Sequence, residues 1–272
     1  MVSTLDSFAR RHLGWRAVTT LKAIRDRTRA IAYRGDLIRL GICFETDKWG
    51  SHWYLQHYQR HFRQLRSKRI NLLEIGIGGY KHPDAGGNSL RTWKAYFPKA
   101  NVYGIDIYDK KQIEEPRIKT FQGSQTDPEF LKGILQQIGG ADIIIDDGSH
   151  INSHVITTFE ILFPLLRDRG IYVIEDTQTS YWPGFGGSSD DPGSTGTIMG
   201  HFTSMVHSLN HEEILRERYD PSYYDLNIVG MHFYHNLIFV EKGNNQEGST
   251  MLRQNRASSQ VVYEGIPFQP QV

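Results

Sequence analysis

The chain has 272 residues, a hydrophobic fraction of 39%, one cysteine, and a formal net charge of +1 from 31 basic and 30 acidic side chains. This near balance of charge gives no reason to expect nucleic acid as a partner, and the lone Cys43 excludes a disulfide within the chain. No stretch approaches the roughly 18 apolar residues that a membrane span needs, and arginines interrupt the N-terminus before the apolar core of a signal peptide forms. We therefore expect a cytoplasmic protein without a membrane span.

The first 44 residues are predicted to form a helical N-terminal extension. Basic side chains outnumber acidic ones along it, from Arg10 to Arg39. This pattern is typical of a solvated helical face, and the alternative is a surface that contacts a membrane or a second copy of the chain. We expect the protein to form a homo-oligomer.

Strand-like and helix-like segments alternate from residue 70 to residue 175. We predict strands at residues 70–75, 101–107, 118–121, 141–146 and 171–175, and helices at residues 89–96 and 153–166. A further helix opens at Asp127 and Pro128, because aspartate caps helices and proline suits the first helical position. The alternation predicts an α/β fold with a mostly parallel, doubly wound sheet that helices cover on both faces.

The alternation breaks at residues 176–200, which are rich in Gly, Ser, Asp and Pro. A loop of this length inside a compact domain is usually functional, and we predict a lid there. Two late strands at residues 227–232 and 237–241, joined by a short link, predict an antiparallel end to the sheet. The predicted parts are thus the extension at residues 1–44, one α/β domain at residues 45–242 and a polar tail at residues 243–272.

A glycine-rich loop follows the first predicted strand, at the edge where open α/β sheets bind ligands. Glu74 precedes Gly76 and Gly78, and its charge would repel a pyrophosphate but suits the ammonium of a methionine moiety. Asp106 ends the second strand, where a carboxylate can accept hydrogen bonds from ribose hydroxyls, although a cap or turn residue is the alternative. Ser124 lies in a segment after the third strand that is placed to meet an adenine, and a simple turn is equally compatible.

Acidic residues follow the fourth and fifth strands. Asp146 and Asp147 come after one strand and Glu175 and Asp176 after the other, so parallel pairing would crowd four carboxylates at one end of the sheet. Like charges repel unless a cation or protons intervene, and hard oxygen ligands select Mg²⁺, Ca²⁺ or Mn²⁺. The alternative is a set of exposed loop caps. His150, three residues beyond Asp147, is a candidate general base.

Five segments, at residues 73–80, 89–94, 102–106, 145–150 and 175–182, resemble the metal-dependent macrolide sugar O-methyltransferases of the macrocin and mycinamicin type. Rhamnosyl and mannosyl O-methyltransferases look similar. The most specific parts are Asp-Asp-Gly-Ser-His at residues 146–150 and Glu-Asp-Thr-Gln-Thr-Ser-Tyr at residues 175–181, and the resemblance covers about residues 44–241. It implies the class I S-adenosylmethionine (SAM) methyltransferase fold, which is Rossmann-like, for the domain at residues 45–242.

The resemblance also implies a site. Mg²⁺, or Mn²⁺, would be held by Asp147, Glu175 and Asp176, with His150 as the base, and residues 46–50 resemble a segment that flanks the active site in the family. Tyr181 and Trp182 are predicted as the substrate lid. The predicted SAM-binding residues are Glu74, Gly76, Gly78, Ser89, Asp106, Ser124 and Asp146.

These features predict methyl transfer from SAM to a sugar hydroxyl of a glycoside, saccharide or glycosylated natural product. A nicotinamide-dependent oxidoreductase is one alternative, but its glycine fingerprint and the spacing of about 20 residues to the acid are both missing. A metal-dependent hydroxylase is another, and it would need an open iron site with histidine ligands, of which only His150 is near. A binding module without catalysis is the third.

Overall fold

A computed structural model describes residue 28, residues 31–216 and 218–249, and the backbone of four two-residue strands at 252–253, 256–257, 262–263 and 266–267. Most of the predicted N-terminal extension lies outside the described residues, and its last turns form helix α1, Leu37–Phe44. The predicted tail at residues 243–272 also lies largely outside them. Among the described residues, no helix has the length and apolar character needed to cross a bilayer.

Seven strands form one sheet in the order β3-β2-β1-β4-β5-β7-β6. The pairs β2–β3, β1–β4 and β4–β5 are parallel, whereas β7 is antiparallel to both β5 and β6. The prediction of a mostly parallel sheet with an antiparallel C-terminal end is therefore confirmed. The strands are β1 (Asn71–Ile75), β2 (Asn101–Asp106), β3 (Ile118–Gln122), β4 (Ile143–Asp146), β5 (Ile171–Glu175), β6 (Ile228–Tyr234) and β7 (Leu237–Lys242).

The described helices after α1 connect or follow these strands. They are α2 (Leu55–Phe62), α3 (Asn88–Tyr96), α4 (Pro128–Ile138), α5 (Asn152–Leu162), α6 (Ile198–Ser204) and α7 (Tyr223–Asn227). The 3₁₀ helices are Arg63–Leu65, Lys111–Ile113, Thr177–Tyr181, Pro183–Phe185 and Met205–Glu213. The short strands β8 (Leu252–Arg253), β9 (Arg256–Ala257), β10 (Val262–Tyr263) and β11 (Ile266–Pro267) form two further ladders.

The chain divides into two compact units, and the first comprises Met1–Asn71 and Ile77–Gln122. Its core is aromatic: the ring of Tyr58 lies 4.9 Å from that of Trp93, and Phe62 packs on both rings. Asp36 caps α1 by accepting a hydrogen bond from the Arg39 amide, which satisfies a donor at the start of the helix. The predicted helical extension at residues 1–44 did not include this cap.

The second unit comprises Leu72–Gly76 and Gly123–Val272. Every residue of β4 and β5 is buried, which explains their unbroken apolar runs. Phe159 of α5 packs on the Tyr172 ring of β5 and on Phe202 of α6. The predicted cap at Asp127 is confirmed, because its side chain accepts hydrogen bonds from the Glu129 and Phe130 amides.

Helix α5 ends at Leu162, four residues before the predicted end at residue 166. Pro164 has no amide proton to continue the helical hydrogen bonds, so the helix stops beside it. Lys242, at the end of β7, reaches carbonyls just beyond the helix: its Nζ donates to the oxygens of Phe163, Pro164 and Leu166 at 3.3, 2.9 and 2.6 Å. A buried ammonium thus fastens the end of α5 to the antiparallel edge of the sheet.

We expect Lys242→Met to lower the free energy of unfolding by about 2–4 kcal/mol, because it leaves three carbonyls of the α5 terminus without their charged donor. Urea denaturation measures this loss directly. The control is Lys132→Met on the exposed face of α4, where the lysine pairs only with Glu129 at the surface and the change should stay within about 0.5 kcal/mol. Equal stability of the two variants would contradict the assigned role of Lys242.

Candidate metal centre

The carboxyl ends of β4 and β5 lie side by side. The two strands are parallel, with Asp146 opposite Ile174 in the register. The next residue on each strand is therefore Asp147 on one side and Glu175 on the other. Parallel pairing thus brings both acidic loops to the same edge of the sheet, as the sequence predicted.

Two groups of ligand atoms meet at this edge, and Asp147 belongs to both. Asp147, His150 and Asp176 form one group, and Glu74, Asp147 and Glu175 form the other; within each group the ligand atoms lie within 4.8 Å of one another. Glu74 and Glu175 are buried and the remaining three residues are half-buried. Carboxylates this close repel one another strongly in a poorly solvated site, so the donor set fits a hard divalent cation such as Mg²⁺ or Mn²⁺.

The three predicted metal ligands are divided between these groups. Asp176 lies with Asp147 and His150, whereas Glu175 lies with Asp147 and Glu74. Glu74, predicted for SAM from its place before the glycines, sits inside β1 and points into the carboxylate cluster. The sequence did not predict Glu74 as part of this cluster, because only the pairing of β1 with β4 brings Glu74 beside the β4 loop.

His150 and Asp176 both adopt left-handed backbone conformations, each with φ of 55°. This conformation costs of order 1–3 kcal/mol for residues other than glycine and is concentrated at functional sites. It turns the two side chains toward each other, and His150 Nε2 lies 3.6 Å from Asp176 Oδ2. His150 Nδ1 is buried and has no hydrogen-bond partner among the described residues, so Nε2 is the nitrogen that faces the carboxylates.

Gly76 fixes the approach of the β1 loop to the β4 loop. Its φ is +88°, and a Cβ atom built on it would lie 1.9 Å from the carbonyl oxygen of Asp147. The Asp147 amide also donates to the Ile75 carbonyl at 2.9 Å. Only glycine fits this contact, and the contact sets the backbone of the residue that both groups share.

Asp146 lies in neither group. It is buried, and its Oδ1 accepts hydrogen bonds from Gln125 Nε2 and the Gly148 amide, both at 3.3 Å. The pKa of Asp146 is raised to about 7, chiefly by burial; the bond from the Gly148 amide and that from Gln125 oppose this rise, and the Asp147 charge adds to it. Gln125 also accepts from the Ser149 amide at 2.8 Å, so this pair stiffens the loop that carries Asp147 and His150.

The other predicted SAM-binding residues are divided between the two units. In the first unit, Asp106 accepts from the amides of Ile77 at 3.1 Å and Tyr108 at 2.9 Å, so it holds the glycine loop at its Oδ2. Gly78 has a φ of 75° and Ser89 is buried in the first turn of α3. In the second unit, the Ser124 hydroxyl lies 3.0 Å from that of Thr126. This short-range contact fits the alternative of a simple turn for this segment. The roles of these residues toward SAM stay predictions.

The predicted lid residues Tyr181 and Trp182 are 38% and 49% exposed. They do not lie in an irregular loop, because residues 177–181 and 183–185 form two 3₁₀ turns. The residue that ties these turns down is Asn152, which the sequence analysis did not single out. Its only local signal is a position at the start of α5, where asparagine ordinarily serves as a cap.

No protein-family model matches the chain. It is 52% identical over 215 residues to both the mycinamicin VI 2''-O-methyltransferase of Micromonospora griseorubida and the demethylmacrocin O-methyltransferase of Streptomyces fradiae. In each case the match covers 78% of this chain and 54% of the relative. It is also 43% identical over 232 residues, 84% of this chain and 60% of the relative, to the 8-demethyl-8-(2-methoxy-alpha-L-rhamnosyl)-tetracenomycin-C 3'-O-methyltransferase of Streptomyces olivaceus. The chain thus spans little more than half the length of these relatives.

Among solved structures, the chain matches the MycE methyltransferase of mycinamycin biosynthesis in complex with Mg, SAH and mycinamycin VI. The TM-score is 0.76 at 50% sequence identity, over 81% of this chain and 57% of the other. Sequence and fold therefore both relate about four fifths of the chain to sugar methyltransferases of this kind.

We expect Gly76→Ala to lower the free energy of unfolding by about 2–4 kcal/mol, because the new methyl group meets the Asp147 carbonyl and the backbone is left-handed. A thermal melt measures the shift. Gly248→Ala is the matched control, since Gly248 has a φ of +80° and nothing lies within 4 Å of its Cβ position. A Gly76 variant that loses no more than the control would show that the contact is not tight.

Proposed function

The matched four fifths of this chain belongs to the macrolide sugar O-methyltransferases and has the class I methyltransferase fold, and on that premise we propose that the protein methylates a sugar hydroxyl with SAM and Mg²⁺. The single observation that supports it best is the cluster of Asp147, His150 and Asp176, which joins hard oxygen ligands to a base. The relatives named above are O-methyltransferases, which favours this function over the oxidoreductase and hydroxylase alternatives.

The reaction moves one methyl group and one proton. The bond from the methyl carbon to the sulfur of SAM breaks as the bond from that carbon to the sugar oxygen forms, and the hydroxyl proton leaves. An alcohol is a weak nucleophile at neutral pH, and a divalent cation held by Asp147, Glu175 and Asp176 would supply Lewis-acid activation and alignment of the hydroxyl. The sulfur leaves as a neutral thioether and needs no acid.

We assign His150 as the base that takes the proton of the sugar hydroxyl. Its Nε2 faces the carboxylates, and Asp176 Oδ2 at 3.6 Å stabilises the imidazolium that forms when the nitrogen takes the proton. The left-handed backbone at both residues directs the two side chains to the same point, so the base is oriented before the acceptor arrives. The neighbouring bond from the Ser149 amide to the Gln125 side chain holds the loop in this position.

SAM is proposed as the methyl donor because MycE was solved with SAH, the form that SAM takes after it gives up its methyl group. In the first unit, Asp106 keeps a free lone pair on each oxygen beyond its backbone bonds and suits the ribose hydroxyls. In the second unit, Glu74 and Gly76 suit the methionine end. A cationic ammonium or a metal would each offset the like charge around Glu74.

The proposed acceptor is a sugar carried by a glycosylated macrolide or a similar natural product, in line with the mycinamycin VI that was bound to MycE. Tyr181 and Trp182 present exposed rings on the segment that follows Asp176. Aromatic rings stack on the apolar faces of sugars, so these two side chains suit the acceptor. We also propose that the protein is cytoplasmic, which the single buried cysteine permits. We further propose that it forms a homo-oligomer.

Turnover is expected to require a divalent cation. Excess chelator should abolish methyl transfer from SAM to mycinamicin VI, and Mg²⁺ or Mn²⁺ should restore it, because carboxylates select hard cations. Asp176→Asn should also abolish turnover, whereas Asp190→Asn, an exposed aspartate in the same segment, should not. Full activity in chelator would remove the metal from the proposal.

His150→Ala should reduce kcat by about 10²–10⁴-fold, the usual contribution of a general base. The affinity for SAM should stay within about twofold, because His150 is not among the residues proposed to bind SAM. His207→Ala, at an exposed histidine of the second unit, is the control and should keep normal turnover. A folded His150 variant with near-normal kcat would mean that another group takes the proton.

Asp106→Ala should weaken SAM binding by about 1–3 kcal/mol, the scale of hydrogen bonds to a charged group. Calorimetry measures the affinity without turnover. The matched control is Asp109→Ala, since Asp109 also accepts from a backbone amide two residues ahead but follows β2 outside the glycine loop. Tight NADH binding together with no SAM binding would overturn the donor assignment.

A further inference from the structure

Asn152 makes three hydrogen bonds to a segment far away in the sequence. It is the first residue of α5 and is 1% exposed. Its Nδ2 donates to the carbonyl oxygens of Thr179 at 3.0 Å and Phe185 at 2.9 Å, and its Oδ1 accepts from the Ile198 amide at 2.6 Å. All the usual bonding capacity of this amide except one lone pair is therefore used on the segment 177–198.

This use of an asparagine is not the local one. At a helix start, an asparagine side chain ordinarily accepts from the amides of its own first turn. In α5 the residue before the helix is Ile151, which has no capping side chain. Asn152 lies one position after the cap, as the first helical residue, and its described side-chain bonds join the loop of His150, two residues earlier, to the segment that follows Asp176.

The segment itself is built as a fixed turn. The Thr179 carbonyl that Asn152 holds belongs to a residue whose amide and hydroxyl both donate to the Asp176 carbonyl at 3.2 Å. The buried Ser180 hydroxyl accepts from the Met199 amide at 3.0 Å. A Cβ atom on Gly187 would lie 2.3 Å from the Thr179 carbonyl oxygen. The chain at Gly187 therefore packs directly on that carbonyl as it folds back.

Trp182 and Phe185, which we call the aromatic tip, lie within the anchored segment 177–198. Trp182 and Phe185 are a ring pair with centroids 5.9 Å apart, and the Phe185 carbonyl is one of the two that Asn152 holds. That bond holds the Phe185 end of the tip together with the backbone bonds from the Gly187 amide to the Trp182 carbonyl at 3.0 Å and from the Ser188 amide to the Ser180 carbonyl at 2.8 Å. Asn152 thus joins this turn to α5.

We propose that Asn152 is a positioning residue for the sugar acceptor, which holds the segment 177–198 in its binding geometry before the acceptor arrives. The segment then acts as a preformed wall of the acceptor site rather than as a lid that closes. Preformed contacts save the ordering cost that a mobile loop would meet on binding. This inference rests on the proposed function for the identity of the acceptor, but the anchoring itself does not.

The test compares Asn152→Ala with Asn245→Ala. Asn245 is a matched control because its Nδ2 also donates to two carbonyls, those of Ser208 and Asp225, both at 2.9 Å, but it touches no residue of the segment. Asn152→Asp is the second variant, in case the alanine fails to fold. It keeps the shape and the acceptor for Ile198, removes the two donated bonds and places a carboxylate oxygen against the carbonyls of Thr179 and Phe185.

Hydrogen exchange of the segment amides and kinetics with mycinamicin VI are measured on all variants. For both Asn152 variants we expect exchange at residues 177–198 to rise about tenfold or more and the acceptor KM to rise about tenfold. Their SAM affinity and kcat should stay within about twofold. Asn245→Ala should change neither exchange of the segment nor the acceptor KM.

Two results would overturn the proposal: unchanged exchange in the Asn152 variants, or raised exchange with an unchanged acceptor KM. The second would mean that the segment is anchored but does not contact the acceptor. If the wild-type protein methylates no glycoside, the proposed function fails. Exchange then decides by itself whether Asn152 holds the segment, so the two failures are distinguishable.

Discussion

The parallel pairing of β4 with β5 is the constraint on which the site depends. It carries Asp147 and Glu175 to the same edge of the sheet, and the pairing of β1 with β4 brings Glu74 to the same place. Three acids whose ligand oxygens lie within 4.8 Å of one another, two of them buried, repel one another unless a cation or protons lie among them. This edge of the sheet therefore suits a cation, and the proposed chemistry rests on that fit.

The backbone conformation around the carboxylate cluster positions the side chains of the site. Gly76 lets β1 come within contact distance of the Asp147 carbonyl, and left-handed turns at His150 and Asp176 aim a base and an acid at one point. The left-handed turns are unfavourable locally, and surrounding hydrogen bonds, such as that from the Ser149 amide to Gln125, hold the loop that carries His150. Rigidity at this edge suits methyl transfer, in which the sulfur, carbon and oxygen must lie in line.

Sequence alone predicted the features that local chemistry controls. Unbroken apolar runs such as that of β4 gave the buried strands, and Asp127 before Pro128 gave the start of α4. It missed the end of α5 at Leu162 although Pro164 is a local signal for that end, and it did not predict the contact with Lys242 from a distant strand. The lid at residues 176–200 stays a prediction, and the bonds that order the segment were not predicted, because they join Asn152 to residues up to 46 positions away. Contacts of that range leave no local pattern.

Cation binding to the metal-stripped protein tests the central claim most directly, since it needs neither the acceptor nor turnover. Calorimetric titration with Mn²⁺ is predicted to show saturable binding of a single ion in the wild-type protein and none in Asp147→Asn, the residue common to both groups. The asparagine variant should remain folded in a thermal melt, because removing one of several like charges relieves repulsion. Equal Mn²⁺ binding by the two proteins, or no binding by either, would contradict the account of this edge of the sheet as a metal centre.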